Sequence, residues 1–310
     1  MITTVTLNAS IDKAYKIHGS IEKGQVMRVA GCRNTAGGKG LNVARVLQLC
    51  GEHVIATGLI GGHNGAYLAD LLRQDQIENH FVCISGETRC CINILDGQRQ
   101  STELLEPGTY VSPQELDEFI RNFSGIIAGS KIVIFSGSVP LGVKSTIYNQ
   151  LVHMAKQEGK TTILDTSGDL LREGIKAAPY MIKPNHAEME MLMGRKLHTI
   201  GEIKNAAETL HRQGIKYVLV SLGKDGALMV CKEGAILAVP PKIQVANTVG
   251  CGDSMVAAFA AACARGDRPV DRLRCAVAVS AANAMSERTG YFDAALLKEL
   301  LGQVSIKYMD

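Results

Sequence analysis

The sequence predicts an α/β fold around a mostly parallel β-sheet, and two observations carry this prediction. From residue 131 onward, short apolar segments typical of buried strands alternate with amphipathic segments typical of helices. This alternation favours β-α-β units, whose strands lie parallel in one sheet. Two β-rich segments near residues 10–35 and 85–108 interrupt the pattern, so we expect them to form a small lid over that sheet. No linker or repeat divides the chain, which predicts one domain over residues 1–310.

Periodicity and turn residues predict the individual elements in order. Strands are expected at residues 3–7 and 54–62, and helices at 40–50 and 66–74, where apolar residues recur with helical spacing. Asp96 and Gly97 predict a hairpin turn between two strands. Later strands are predicted in KIVIFSGS, TTILDTSG, YMIKPN and YVLVSLGKDGALMV, and later helices in TIYNQLVHMAKQEG, AEMEMLMG and IKNAAETLHRQG.

Composition and charge restrict the class of protein. The 310 residues are 46% apolar and 20% charged, as in soluble globular proteins with a large core. The formal net charge is +3, too near neutral to favour nucleic acid or a membrane surface as a partner. Tryptophan is absent and aromatic residues make up 5%, which argues against a stacking surface for single-stranded nucleic acid. No apolar run reaches the roughly 18 residues of a membrane span.

Cysteine usage and the first residues bear on the compartment. Nine cysteines are scattered without a C-x-x-C pair, as expected for reduced thiols in the cytoplasm. The segment MITTVTLNASID lacks the basic and apolar regions of a signal peptide. Cys90 and Cys91 are adjacent, but neighbours in a strand point to opposite faces, so no redox role is expected for them.

Polar or glycine-rich turns follow several of the predicted strands. In open parallel sheets, ligands bind at the carboxyl ends of the strands. We therefore expect one shared cleft at this edge of the sheet. The residues that would meet there are Asn8, Ser136, Gly137, Ser138, Asp165, Lys183, Pro184, Asn185, Ser221, Leu222 and Gly223.

The segment NTVGCGDSMVAAFAAACA, residues 247–264, places an acid at the start of an alanine-rich helix. Gly250, Cys251 and Gly252 lead into a first turn that holds Asp253. Free N–H groups at such a helix start bind anions, and the helix dipole adds to the attraction. An aspartate there can also accept the proton of a hydroxyl that attacks a phosphoryl group. A simple N-capping aspartate after a flexible loop explains the motif equally well.

The segment TAGGKGLNVARVL places three glycines before a helix. Gly37, Gly38 and Gly40 let the backbone approach a ligand closely. The segment matches neither the P-loop, because Gly40 stands where Ser or Thr is required, nor the G-x-G-x-x-G pattern. The alternative is a glycine-rich turn with a solvated Lys39.

Two more segments carry weaker signals. In KPNHAEME, Asn185 and Glu188 lie three residues apart at a helix start, where they either cap the helix or hold the water shell of Mg²⁺. In VSLGKDGAL, a strand ends at Ser221, and Gly223 and Gly226 frame a turn. That turn either closes a simple hairpin or lies against a nucleotide.

Taken in this order, the four segments resemble the PfkB, or ribokinase-like, family of carbohydrate kinases. AGGKGLNVARVLQLCG and NTVGCGDSMVAA are similar to its two signatures, KPNHAE to its N-x-x-E element, and VSLGKDGAL to its nucleotide loop. The likeness spans residue 6 to about residue 290. It implies a three-layer α/β/α sandwich with a mostly parallel central sheet and a small β-sheet lid. It also implies ATP, Mg²⁺, a sugar-phosphate substrate, and a homodimer that pairs through the lid.

A narrower likeness concerns the acceptor. TLNASID, GSVPLGV and GETR with TELLEPG resemble 1-phosphofructokinases, tagatose-6-phosphate kinases and minor 6-phosphofructokinases, which make ketohexose bisphosphates. GIKAAPYMIKPN and GRKL are similar to 1-phosphofructokinases, so we expect fructose 1-phosphate as the acceptor. GETRCCINIL is similar to tagatose-6-phosphate kinases, so tagatose 6-phosphate is the alternative. The chain departs from the family pattern at Ala9, in place of proline, and at Cys251, in place of alanine.

Two other classes of protein were weighed against this interpretation. A non-catalytic sugar-phosphate-binding protein on the same fold is one alternative, although the retained Asp253 argues against it. A Rossmann enzyme is disfavoured because no G-x-G-x-x-G follows the first strand.

The resemblance also implies a role for each matching residue. Asp253 would be the catalytic base, with the N–H groups of Gly250, Cys251 and Gly252 beside it stabilising the transferring phosphoryl group. Asn185 and Glu188 would order Mg²⁺ through water. The implied substrate-binding residues are Asp12, Gly37, Gly38, Lys39, Asn42, Arg89, Ser138 and Arg28. The implied nucleotide-binding residues are Lys183, Asn185, Ser221, Gly223, Gly226 and Asn283.

Overall fold

Two β-sheets form in the part of the chain that the computed structural model describes, residues 1–98 and 100–309. Within these residues, the larger sheet has ten strands and the smaller sheet has four. The larger sheet contains β1 (Ile2–Thr6), β4 (Val54–Gly61), β5 (Glu78–Ile84), β8 (Ile132–Ser136), β9 (Thr161–Asp165), β10 (Met181–Ile182), β11 (Tyr217–Ser221), β12 (Ala227–Cys231), β13 (Gly234–Val239) and β14 (Ser305–Met309). The smaller sheet contains β2 (Ser10–Lys16), β3 (Gly31–Gly37), β6 (Arg89–Leu95) and β7 (Ser101–Leu105).

Seven neighbouring strands of the larger sheet run parallel, in the order β5-β4-β1-β8-β9-β10-β11. Beyond β11, the strands β12, β13 and β14 extend the sheet in antiparallel fashion. Along the chain, β4 and β5 are added to the sheet on one side of β1. The later strands are then added on the other side, beginning with β8. In open α/β sheets, such a reversal opens a crevice at the carboxyl ends of the strands.

Helices cover both faces of the larger sheet. The apolar sides of five of them pack on one face of the sheet, and those of the other five pack on the opposite face. The first layer consists of α1 (Lys39–Leu49), α2 (Gly62–Gln74), α8 (Cys251–Ala264), α9 (Pro269–Ala284) and α10 (Ala294–Gln303). The second layer consists of α3 (Pro113–Ile127), α4 (Ile147–Gln157), α5 (Gly168–Gly174), α6 (His186–Met193) and α7 (Ile200–Arg212). The predicted three-layer α/β/α sandwich is thereby confirmed.

Local sequence explains where several helices begin. A capping box satisfies two of the free N–H groups at the start of α3, α6 and α7, each helix having a carboxylate at its third position. Helix α8 begins without a side-chain cap, at Gly250 in the left-handed region with φ 80°. From its third residue to its twelfth, α8 is buried on every side, as the apolar run that follows Asp253 and Ser254 favours. The start of α8 is consequently held by tertiary packing.

The smaller sheet is the predicted lid. β2 pairs antiparallel with β3 and parallel with β6, and β6 pairs antiparallel with β7. Its strands fall within the segments predicted near 10–35 and 85–108, and the predicted turn at Asp96 and Gly97 connects β6 to β7. Residue 99 of the second segment, together with residue 310, lies outside the described residues.

Helix α2 begins at Gly62, four residues before its predicted start. Gly62 and Gly65 lower the helix propensity of the first turn, so periodicity alone does not favour a helix there. The carboxylate of Glu87 accepts the N–H of Asn64 and stabilises that turn from the connection between β5 and β6. A residue distant in sequence thus moves the boundary.

Candidate active site

A cleft of about 1060 Å³ lies at the carboxyl ends of the central parallel strands, between the larger sheet and the lid. Residues that follow β1, β8 and β10 line it together with Ser221, the last residue of β11, which confirms the predicted shared cleft. Of the residues predicted there, Asp165, Pro184, Leu222 and Gly223 do not line it. Asn8 connects the turn after β8 to the segment after β7. Its amide donates to Ser138 Oγ at 3.1 Å and to the carbonyl of Pro107 at 3.1 Å. Residues from the lid, including Asp12 and Arg89, close the cleft from above.

Asp253 lies in the first turn of α8 and lines the cleft, although only 6% of its surface is exposed. The pKa of this carboxyl is raised to about 6, because burial and the nearby Asp165 raise it by more than Lys39, Asn42 and Lys183 lower it. The carboxylate therefore remains mostly ionised at neutral pH but is far more basic than an exposed aspartate. Such a group is suited to accept a proton near neutral pH.

Asn42 fixes the orientation of Asp253. Its side-chain Nδ2 donates to Asp253 Oδ2 at 2.9 Å, and the bond is buried. Asn42 can reach that far because α1 lies close against β1, and glycines allow this approach. A Cβ on Gly38 would lie 2.8 Å from Thr6 Cγ2, and one on Gly40 would collide with Thr6 Oγ1. The glycines of GGKG thus serve helix packing as well as ligand approach.

Two lysines lie beside the start of α8 and share a buried carboxylate. Lys183 Nζ is 3.2 Å from Asp165 Oδ1, and Lys39 Nζ is 3.7 Å from Asp165 Oδ2. Burial by itself raises the pKa of Asp165, but the two ammonium groups outweigh it and hold that pKa below its ordinary value. The same carboxylate raises the pKa of Lys39. Both lysines line the cleft as cations, so they can attract the phosphates of a ligand.

Backbone donors accompany these cations. Among the described residues, the N–H groups of Gly252 and Asp253 donate to no acceptor, whereas that of Ser254 donates to the carbonyl of Gly250 at 2.8 Å. A Cβ on Gly252 would lie 3.2 Å from Lys183 Nζ, so this lysine borders the helix start directly. The start of α8 therefore combines free N–H groups, the positive end of the dipole and a lysine, which suits a phosphoryl group.

The lid contributes a second group of polar side chains. Asp12 accepts the hydroxyl of Ser10 at 2.6 Å, and its carboxyl lies directly over Gly37, where any Cβ would collide with it. Burial raises the pKa of Asp12. The guanidinium of Arg89 donates to the carbonyls of Asn8, at 2.9 Å, and Glu106, at 2.7 Å. Arg89 thereby connects both ends of the lid while it lines the cleft.

Asn185 and Glu188 form the capping box of α6. Asn185 Oδ1 accepts the N–H of Glu188 at 2.8 Å, and Glu188 Oε2 accepts the N–H of Asn185 at 2.7 Å. The capping interpretation of this motif is confirmed, and Asn185 also lines the cleft. Oxygen donors of this kind fit the waters around Mg²⁺. No cluster of three or more acidic, His or Cys side chains in the described residues can hold a metal directly, so the fit is to a hydrated ion.

The structure brings together most of the residues implied by the resemblance. Those that line the cleft are Asp12, Gly38, Lys39, Asn42, Arg89, Ser138, Lys183, Asn185, Ser221, Gly250, Gly252 and Asp253.

Seven implied residues do not line the cleft, namely Arg28, Gly37, Glu188, Gly223, Gly226, Cys251 and Asn283. Gly223 and Gly226 form the tight turn between β11 and β12, and a Cβ on Gly226 would collide with the carbonyl of Ala238. Arg28 is exposed in the connection between β2 and β3 and does not line the cleft. Cys251 is half-buried, and burial raises the pKa of its thiol.

Asn283 is a correction to the sequence prediction. It is fully buried, and its Nδ2 donates to the carbonyl of Val249 and to Cys251 Sγ. Its Oδ1 accepts the N–H groups of Gly290, at 2.9 Å, and Tyr291, at 3.2 Å. An amide has two donor hydrogens and two acceptor positions, and all four are used within the protein. Asn283 therefore fixes the loop before α8, and in this arrangement its side chain has no hydrogen bond left to make to a nucleotide.

Two polar residues of the site received no role from the sequence. Asp165 was expected only as a strand end, yet it balances the charge of both lysines. Arg45 received no assignment, although its guanidinium donates to Asn42 Oδ1 at 3.2 Å. The signal for Arg45 was its helical spacing of three residues from Asn42, which places both side chains on one face of α1.

A crevice at the strand reversal, with a buried acid at a glycine-preceded helix start and cations around it, defines the class of small-molecule kinases. Within that class, the chain belongs to the pfkB family of carbohydrate kinases, which matches residues 5–294. The family transfers a phosphoryl group from ATP to a sugar.

Solved structures agree with this assignment. Phosphofructokinase-2 from Escherichia coli is 29% identical, with a TM-score of 0.91 over 97% of this chain and 98% of that one. A possible 1-phosphofructokinase from Thermotoga maritima is 25% identical, with a TM-score of 0.91 over the whole of both chains. A Staphylococcus aureus protein provisionally described as a phosphofructokinase is 31% identical, with a TM-score of 0.85 over 100% of this chain and 99% of that one.

Within residues 1–98 and 100–309, no helix has both the length and the apolar character that crossing a membrane requires.

Proposed function

We propose that the protein transfers a phosphoryl group from ATP to a ketohexose monophosphate, with Asp253 as the general base. The observation that carries this proposal is the buried Asp253, with a pKa of about 6, at a helix start flanked by free N–H groups and Lys183. Phosphoryl transfer needs positioning, neutralisation of charge and one base for the nucleophile, and this corner of the cleft supplies all three.

Each residue has a part in the reaction. Asp253 takes the proton of the attacking sugar hydroxyl, while Asn42 keeps the carboxylate in place. Lys39 and Lys183 offset the negative charge of the phosphates, and the N–H groups of Gly252 and Asp253 bind the oxygens of the transferring group. Mg²⁺, when bound, neutralises phosphate charge, and Asn185 and Glu188 would hold its waters.

The acceptor we propose is fructose 1-phosphate, phosphorylated on its 6-hydroxyl. The segments similar to 1-phosphofructokinases support it, as does the full-length likeness to the Thermotoga maritima protein. Tagatose 6-phosphate, phosphorylated on its 1-hydroxyl, is the alternative, because GETRCCINIL is similar to tagatose-6-phosphate kinases. The Escherichia coli neighbour has been crystallised with fructose 6-phosphate.

The free state of all nine cysteines supports a reducing compartment, which we propose is the cytoplasm.

The acceptor is tested by an assay of the purified protein with Mg·ATP. We expect the highest kcat/KM with fructose 1-phosphate, compared with tagatose 6-phosphate and fructose 6-phosphate under the same conditions. A ranking led by tagatose 6-phosphate would overturn the proposed acceptor but not the proposed reaction. No turnover with any of the three, in a protein that still binds ATP, would contradict the kinase proposal.

The role of Asp253 predicts a pH dependence. The base must be ionised, so we expect kcat at saturating acceptor to fall about tenfold per pH unit below about pH 6. Asp253→Asn should lower kcat about 10²- to 10⁴-fold while acceptor and ATP binding, measured by calorimetry, persist.

The same variant is the control for the pH profile. Phosphomonoesters also titrate near pH 6, but Asp253→Asn has no carboxyl at this position. The pH profile of the variant's residual kcat should therefore lack the decrease at low pH that protonation of Asp253 causes in the wild type. Near-normal turnover in this variant would exclude Asp253 as the base.

Arg89 is proposed to bind the phosphate already present on the acceptor. Loss of a charge-assisted hydrogen bond costs about 1.5–3 kcal/mol, so Arg89→Ala should raise the acceptor KM about 10- to 100-fold and leave the KM for ATP nearly unchanged. Arg121→Ala, an exposed position on α3, serves as the control and should alter neither constant. A rise confined to the KM for ATP would mean that Arg89 faces the nucleotide.

We further propose that two copies pair through their lids. The lid leaves Leu104 56% exposed, and the connection before β3 leaves Val26 93% and Val29 45% exposed. Leu104 does not line the cleft, whereas its neighbour Leu105 does, so Leu104 lies on the outer face of the lid. The Escherichia coli neighbour has been described in a tetrameric inhibited form, so larger assemblies occur among relatives.

Sedimentation velocity tests this pairing. The wild type should sediment as a dimer at micromolar concentration, and Leu104→Glu should shift it to the monomer, because a charge would be buried at the interface. Tyr308→Glu, 59% exposed on β14, is the control and should sediment as the wild type does. A monomeric wild type would overturn the proposal.

A further inference from the structure

Arg45 is a buried arginine in α1 with no part in the reaction described so far. Only 6% of its surface is exposed, and its guanidinium makes three hydrogen bonds. Nε donates to Asp75 Oδ2 at 3.0 Å, Nη2 to the carbonyl of Ala36 at 2.8 Å, and Nη1 to Asn42 Oδ1 at 3.2 Å. The third bond connects Arg45 to the residue that holds Asp253.

The order of donors and acceptors permits one orientation of the Asn42 amide. A guanidinium only donates, so the atom of Asn42 that faces Arg45 must be the oxygen. An ionised carboxylate only accepts, so the atom that faces Asp253 must be the nitrogen. Without Arg45, the oxygen of Asn42 loses its donor, and the bond to Asp253 alone would hold the amide in the donating orientation.

We propose that Arg45 is a positioning residue for Asp253, which it orients by holding the Asn42 amide in the one direction that donates to the carboxylate. This inference rests on the proposed function, in which Asp253 is the base. Arg45 also lines the cleft, but its hydrogen bond goes to Asn42 and not to Asp253, so it acts on the base through Asn42.

The surroundings of Arg45 leave it little freedom. A Cβ on Gly290 would lie 3.2 Å from Arg45 Nη1, so the loop after α9 presses against the guanidinium. That loop is fixed in turn by Asn283, which accepts the N–H of Gly290. Asp75, the residue directly after α2, accepts a hydrogen bond from Nε of Arg45, and 30% of the Asp75 side chain is exposed to solvent. The hydrogen-bonded series from Asp75 to Asp253 therefore runs from the surface to the proposed base.

Other charged groups also act on Asp253, and the experiment must separate them from Arg45. The amide of Asn42 lowers the pKa of Asp253, so turning the amide over should raise it. Arg45 also lowers the pKa of Asp12, a charge effect that a lysine at position 45 would retain. The groups that face Asp253 are Lys39 and Asn42 from α1, Asp165 at the end of β9, Lys183 after β10, and Cys251 on its own helix.

The experiment compares pH profiles of kcat for the wild type, Arg45→Lys and Arg272→Lys. Arg45→Lys keeps the charge but offers one ammonium for three separated acceptors, so we expect the bond to Asn42 to be lost. In the profile of Arg45→Lys, the decrease of kcat on the acidic side (the acidic limb) should begin at a pH at least half a unit higher than in the wild type. At pH 7.5, kcat should be about tenfold lower. Arg272, which donates to the hydroxyls of Tyr180 and Tyr217 away from the cleft, is the matched control and should lower only thermal stability.

Each outcome decides the question. A limb that stays in place in Arg45→Lys, with a loss of stability like that of Arg272→Lys, overturns the inference but leaves Asp253 as the proposed base. A wild-type profile with no acidic limb contradicts the proposed base and the inference together. If Arg45→Lys fails to fold, Asp75→Ala, which leaves Arg45 Nε without an acceptor at this position, takes its place. It releases the outer anchor of Arg45, so a smaller shift of the limb in the same direction supports the inference and an unchanged limb overturns it.

Discussion

The site depends on the balance of charge at the start of α8. Two carboxylates, those of Asp253 and Asp165, are buried close enough to repel each other. The positive charges of Lys39 and Lys183 offset both this repulsion and the cost of burying the two charges. Asp165 in turn raises the pKa of Lys39 and keeps this lysine charged in the cleft. The two acids respond in opposite ways, since ion pairing dominates at Asp165 and burial dominates at Asp253. This difference separates a structural anion from a group basic enough to take a proton.

The fold delivers these side chains from different parts of the chain. Lys39 starts α1, Asp165 ends β9, Lys183 follows β10 and Asp253 starts α8. They meet because parallel strands bring their carboxyl ends to one edge, and because the strand order reverses beside β1. The glycines at the start of α1 let this helix approach β1, and Lys39 and Asp253 lie within the range of each other's charge.

Much of this site could be predicted from local sequence, although the roles of two residues could not. The acid at the helix start, the GGKG turn and the capping box each depend on residues a few positions apart, so their signals are local. Asp165 has no such signal, because its two lysines are distant in sequence. Asn283 was expected at the nucleotide, yet its four hydrogen bonds go to backbone and thiol groups that only the fold brings near it.

The sequence by itself determined the fold class, the lid segments, the shared cleft and the kinase family, because periodicity, turn chemistry and four spaced motifs are written along the chain. The tertiary structure alone decided which polar groups are buried together. It raised the pKa of Asp253, paired Lys39 and Lys183 with Asp165, and turned the Asn42 amide toward the carboxylate through Arg45. These properties come from desolvation and from contacts between distant segments, and neither exists until the chain has folded.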